Sequence, residues 1–345
     1  MRRMLAVCLV SLLSVQPRAG LAQPTKGKYR VVSRMVLRTP GIAGAAEYLT
    51  MDSAAHRLYI ATANGVVVVD TGKHKVEGVI PQPERVHCVA LRPGKQIGYA
   101  TLWQPNLVAV IDLKTLKTID TIDVHTVFAK GQWPKAIVYE PTTERLFTFN
   151  ESSGDCTCID ANTNKVLGHI PLGGIPGFAV ADGEGLVYAN VTQTNEVVAI
   201  SANTMTIAKR WPVVWGLGPT GLAYDAKHGR LYSTCNNARL VVSDPVQGKA
   251  LASVPIGKGA DAVAYDPKTG LLFSSNGNDG TITVIQERGP NDYYVLTTTP
   301  SLWGARTMAI DERTHHLFVV APTAPDTTGP YSGRGVLTML ELAPR

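Results

Sequence analysis

Seven times along this chain an aromatic residue sits in the middle of a short alternating run: Tyr59, Tyr99, Phe147, Tyr188, Tyr232, Phe273 and Phe318, 40 to 48 residues apart. Two further markers keep the same period. One short run in each unit is followed by Asp52, Arg92, Glu140, Asp182, Asp225, Asp266 or Asp311. Another ends at Asp70, Asp112, Asp160, Ser201, Asp244, Gln286 or Glu341. The clearest unit, residues 219 to 257, reads as four short strands: Gly221-Leu-Ala-Tyr, Arg230-Leu-Tyr-Ser-Thr, Leu240-Val-Val-Ser and Ala250-Leu-Ala-Ser-Val. Clusters of Gly, Pro, Asn and Asp separate them, which is the pattern of hairpin-linked antiparallel strands. One such sheet cannot bury both faces alone, and four-stranded units repeating every 40 to 45 residues stack around an axis as a β-propeller. The expectation is an all-β, seven-bladed propeller with blades starting near residues 46, 86, 134, 176, 219, 260 and 305. The last unit has no fourth strand of its own, whereas residues 28–37 resemble the fourth strand of the other repeats. That amino-terminal strand is therefore expected to complete the seventh blade and close the ring.

Upstream of the first repeat, Met1-Arg-Arg precedes an apolar run from Leu5 to Val15, and Gly20-Leu-Ala22 supplies small residues at a cleavage site. This reads as a signal peptide, residues 1–22, too short and wrongly flanked for a membrane span. The expected mature chain, residues 23–345, is one propeller domain, periplasmic or extracellular, and monomeric. Losing Arg2, Arg3 and Arg18 lowers the formal charge from +6 to +3, with 30 basic residues against 27 acidic. So small an excess does not suit a protein that neutralises phosphates over its whole surface. Cys88, Cys156, Cys158 and Cys235 read as small buried hydrophobes, with Cys235 expected in a loop. Residues 322–333 form a polar insertion between the second and third strands of the last blade.

Strand polarity places the start of every inner strand on one face, called the top. Counting back five residues from each inner-strand turn marker gives one residue per blade: Glu47, His87, Lys135, Gly177, Thr220, Asp261 and Arg306. Top-face loops add Asn150, Asn236 and Asn276 as well as Trp103, Trp133, Trp215 and Trp303. Aromatic area beside converging polar groups is the composition of a ligand site. The alternative for each single residue is structural: Asn for turn geometry, Trp for packing between blades, and collar charges paired as Glu47–Arg306 and His87–Lys135. His56, His74, His228, His315 and His316 fall in turns, with no partner at metal-ligand spacing. No GxSxG, HExxH, phosphate-binding glycine loop or haem-attachment motif occurs.

Leu58-Tyr-Ile-Ala-Thr-Ala-Asn64 with Val66-Val-Val-Val-Asp70, and Val187-Tyr-Ala-Asn190 with Asn195-Glu-Val-Val-Ala-Ile200, resemble YVTN-type repeats. The resemblance extends over nearly the whole mature chain and is to YncE-like exported bacterial propellers. It implies a non-catalytic binding or scaffolding role, with single-stranded DNA binding a property within that group, for which the top-face Trp cluster, Trp133 included, with Lys135 and Arg306 suits bases and phosphates. Glu47 and Asp261 at the same mouth and a charge of only +3 rank DNA below a small molecule, peptide or protein, and no cofactor is expected. Similarity to lactonase and gluconolactonase-like propellers implies the alternative of a divalent cation held by Glu47, Asn150, Asn236 and Asp261. A haem-binding propeller would require His87 as axial ligand.

Overall fold

The computed structural model describes residues 29–39, 46–82, 84–125, 130–289, 291–323 and 336–344. The export signal read at residues 1–22 lies outside them. So does residue 28, and so does the insertion beyond Thr323. Twenty-eight strands make seven four-stranded antiparallel sheets. The inner strands are β2 (Ala46–Asp52), β6 (Val86–Arg92), β10 (Pro134–Glu140), β14 (Pro176–Ala181), β18 (Pro219–Asp225), β22 (Ala260–Asp266) and β26 (Thr307–Asp311). In blade 1, β2 pairs with β3 (Arg57–Thr62), then β4 (Gly65–Asp70), then β5 (Lys75–Pro81), and blades 2 to 6 repeat this order.

The repeat markers have plain physical roles. All seven second-strand aromatics are at most 4% exposed, each filling the wedge between neighbouring blades. The carboxylate after an inner strand caps the turn that follows it. Asp52 accepts from the Ala55 amide at 3.0 Å, Asp225 from Lys227 at 2.9 Å and Asp311 from Arg313 at 3.0 Å. Asp70, Asp112 and Asp160 do the same after the third strand, the Asx-type turn that short polar side chains favour. Arg92 is the exception: it crosses to blade 3 and donates to the Ala161 carbonyl at 2.7 Å. Covered on both faces, β3 and β4 are buried almost throughout, whereas the outer strand β5 is largely open to solvent.

Blade 7 is assembled from both ends of the chain. Its order is β26, β27 (His316–Thr323), β28 (Val336–Pro344) and β1 (Tyr29–Leu37). β1 runs antiparallel to β28 from Tyr29 opposite Pro344 to Leu37 opposite Leu337. The Tyr29 hydroxyl then donates to the His315 carbonyl at 2.9 Å. Pro322 and Thr323, expected to open the insertion, instead end β27, paired with Leu337 and Val336. Cys235 is likewise the last residue of β19 (Arg230–Cys235) rather than a loop residue, and it is fully buried. The four described cysteines are free and buried, and burial pushes the Cys88 and Cys235 thiols up to about 12. Such thiols are inert at neutral pH.

Candidate functional site

Six of the seven inner strands carry an irregularity at their top end. Pairing shifts between Ala46 and Leu49, Val86 and Val89, Pro134 and Ala136, Pro176 and Ala179, Pro219 and Leu222, and Ala260 and Val263. A bulge breaks the alternation of faces and re-aims the residues within it. The residues held there are Glu47, His87, Lys135, Gly177, Thr220 and Asp261, and Arg306 stands just before β26. All seven line a single cavity of about 460 Å³ at the top of the channel. The register count therefore brings together residues from every blade.

The rims are fastened to one another by hydroxyl and amide side chains that the register count missed. Thr101 donates to the Lys135 carbonyl at 2.9 Å, Asn190 to the Thr220 carbonyl at 3.1 Å and Ser275 to the Arg306 carbonyl at 2.5 Å. A longer contact joins Thr234 to the Asp261 carbonyl at 3.4 Å. Each lies two residues beyond the repeat aromatic, so a polar residue at that offset was a readable signal. Gly221 permits the same close approach: a Cβ there would stand 2.5 Å from the Asp261 carbonyl oxygen.

The ion pairs differ from those expected. Glu47 is held by both Nε and Nη2 of Arg85, and His87 Nδ1 lies 3.3 Å from its other oxygen. Lys135 Nζ instead reaches Glu151 at 3.3 Å. In both cases a loop residue on the same or the next blade is nearer than the collar residue that counting proposed. Burial raises the Glu47 carboxyl, but His87 and Arg85 together outweigh it and leave it below its ordinary value. Asp261 goes the other way. Burial raises its carboxyl, Glu47 adds to the rise, and Lys135 and Arg306 offset only part of it. Among the described residues neither Asp261 nor Arg306 has an ion-pair partner within 4.0 Å. Three carboxylates thus face three permanent cations in the cavity lining, with two members of each set engaged with one another.

Aromatic rings define the floor and one wall. Tyr48 and Phe178, each next to a collar residue but on blades 1 and 4, stack across the channel with centroids 4.0 Å apart. Burial holds the Tyr48 hydroxyl well above its ordinary ionisation range. On one side Arg85 lies 5.1 Å from the Trp103 ring centre, and Trp103 packs against Trp133 at 4.7 Å and His87 at 5.5 Å. Trp303 is 73% exposed and outside the cavity lining, as is Trp215 at 54%.

The asparagines do not join the cavity. Asn150 is buried and donates to Asp155 and Thr157, each at 2.9 Å, and Asn276 donates to Thr281 and Thr283. Asn236 is exposed in its loop. The oxygen set Glu47, Asn150, Asn236 and Asp261 is therefore not assembled, and Glu47 is spent on Arg85. These residues do not fit a divalent cation there.

No protein-family model matches this chain, and no curated protein matches it either. Solved structures do. A chain of Kuenenia stuttgartiensis hydrazine synthase superposes with a TM-score of 0.71 at 14% identity, covering 82% of this chain and 94% of that one. The RRP9 WD40 repeats give 0.73 at 11% identity, covering 91% and 100%. A chain of a mitotic checkpoint complex gives 0.74 at 13% identity, covering 99% of each. At these identities the likeness is one of fold. No helix among the described residues is long and apolar enough to cross a membrane.

Proposed function

We propose that this chain is a non-catalytic binding scaffold that captures, in its top cavity, a small molecule or peptide end carrying a carboxylate beside a flat apolar group. The observation that carries the reading is that Arg306 and Asp261 both stand unpaired in a lining whose other permanent charges are matched. A guanidinium binds a carboxylate through two parallel hydrogen bonds. Burial raises the neighbouring Asp261 carboxyl, the direction that favours its protonated, hydrogen-bond-donating form beside the same anion. The Tyr48–Phe178 stack and the Trp103 ring offer apolar area, and about 460 Å³ suits a ligand of modest size. The balance of cations and carboxylates argues for such a ligand over single-stranded DNA, whose backbone asks for an excess of positive charge.

WD40 repeats and a mitotic checkpoint complex among the structural neighbours are in keeping with a scaffold. Exposed Ile175, Val214, Trp215, Leu217 and Trp303 around the top face add area for a larger partner. The YncE-like resemblance and the signal read at residues 1–22 are in keeping with binding in the periplasm or outside the cell. The test is calorimetric titration with N-acetylphenylalanine and, separately, its uncharged amide. The acid binds, the amide does not, and Arg306→Ala abolishes binding of the acid. Equal binding of acid and amide, or binding indifferent to Arg306→Ala, defeats the reading.

A further inference from the structure

On the opposite face, at the junction of blades 5 and 6, three side chains converge that no sequence spacing joins. Asp225 ends β18, His228 lies in the turn after it, and Glu287 lies on β24 (Thr281–Gly289) of the next blade. His228 Nδ1 is 2.6 Å from Asp225 Oδ2 and 3.7 Å from Glu287 Oε2. Among the described residues this is the one group whose three donor atoms all lie within 4.8 Å of one another. Elsewhere on this face His315 pairs with Asp266 at 2.9 Å and His56 with Asp311 at 3.9 Å, while His74 and His316 share one carboxylate, Glu341, at 3.5 and 2.5 Å.

Each carboxylate divides its two oxygens between architecture and the cluster. Asp225 Oδ1 accepts the Lys227 and His228 amides, which leaves Oδ2 facing the imidazole. Glu287 Oε1 accepts the Tyr293 hydroxyl at 3.3 Å, which leaves Oε2 facing it as well. Beside them lie Tyr265, 8% exposed, and Tyr232, fully buried; neither hydroxyl makes a hydrogen bond within 3.5 Å, although Tyr265 stands near the Asp225 carboxylate and Tyr232 near Tyr293. Two converging carboxylates with orphaned donors behind them form an arrangement that a bound cation completes. The donors can then bond to the ligating oxygens or to water on the ion.

We propose that Asp225, His228 and Glu287 form a binding site for a divalent transition-metal ion that ties blade 5 to blade 6. One imidazole and two carboxylates are a mixed nitrogen and oxygen set, which suits zinc or manganese rather than copper(I), whose thiolate and thioether ligands are missing here. Separations of 2.6 and 3.7 Å bracket the spacing of neighbouring ligands around an ion bound at about 2.0–2.2 Å. The His228 side chain is 42% exposed, so coordination positions on the solvent side stay open to water or an outside ligand.

The test is calorimetric titration of chelator-stripped protein with Zn²⁺ and, separately, Mn²⁺, followed by X-ray absorption on the zinc-loaded form. One ion per chain binds, with one imidazole, oxygen neighbours and no sulfur. His228→Gln and Glu287→Gln each weaken the affinity about tenfold or more, because each removes one of only three protein ligands. Glu287→Gln keeps the acceptor for Tyr293, and matching thermal midpoints in chelator show that both variants fold. No binding at millimolar metal, or binding that neither variant weakens, overturns the proposal. This outcome is independent of the carboxylate titration at the top cavity.

Discussion

Asp261 and Glu47 show how the same side chain chemistry is tuned in opposite directions across one small mouth. Glu47 has Arg85 and His87 against it, whereas Asp261 is walled in without a partner. The stability consequences have opposite signs. The lowered Glu47 carboxyl favours the fold above the unfolded value of an ordinary glutamate, and that contribution is lost as the pH falls through the lowered value. The raised Asp261 carboxyl binds its proton more tightly in the folded state, so its contribution diminishes as the pH climbs from the ordinary aspartate range through the raised value. Asp261→Asn is therefore expected to raise the thermal midpoint at pH 7 by about 1.5 °C per ~1 kcal/mol gained in a chain of this size. The gain should vanish near pH 4, and scanning calorimetry at the two pH values reads both. At this scale the sequence was legible where register alone decides: Glu47, His87, Lys135, Asp261 and Arg306 fall at one offset. Arg85 and Glu151 were not, because ion pairing depends on how adjacent blades rotate against each other. The asparagines misled for a physical reason, since buried amides such as Asn150 satisfy turn and strand ends within their own blade.

The element that gives the cavity its character is the bulge at the top of the inner strand. Without it, residues such as Glu47 and Tyr48 would alternate between the channel and the neighbouring blade; with it, both face the opening. The bulges were invisible in the sequence because no glycine or other fixed residue type marks them across the blades. The closing strand was visible because Tyr29–Leu37 carries the outer-strand pattern that the last repeat lacks. Its role limits where an export signal can be cut. Under the proposed export reading, cleavage after Ala22 leaves β1 whole, and the product is expected to have the mass of a chain starting at Gln23. A chain starting at Arg38 would leave the edge of β28 unpaired, and gel filtration should find it aggregated rather than as a compact species. A compact, fully folded product from that truncation would refute the closure.

For the whole molecule, tandem repetition carried most of the information: seven aromatics at one spacing specified the number of blades, and each proved to be an inter-blade wedge. Repetition was silent about whatever differs from blade to blade. Glu287 meets Asp225 and His228 only because blade 6 has a longer third strand, where Gln286 stands at the usual turn position. The Tyr48–Phe178 floor joins blades far apart in the chain and is likewise a product of the closed ring. In the proposed complex one ligand touches many blades at once through the bulged strand tops. Hydrogen exchange with and without saturating N-acetylphenylalanine tests it most directly. Protection is expected in separate short segments around residues 46–49, 86–89, 134–136, 219–222 and 260–263 together. Protection confined to a single blade or to the opposite face, or none at all, would contradict it.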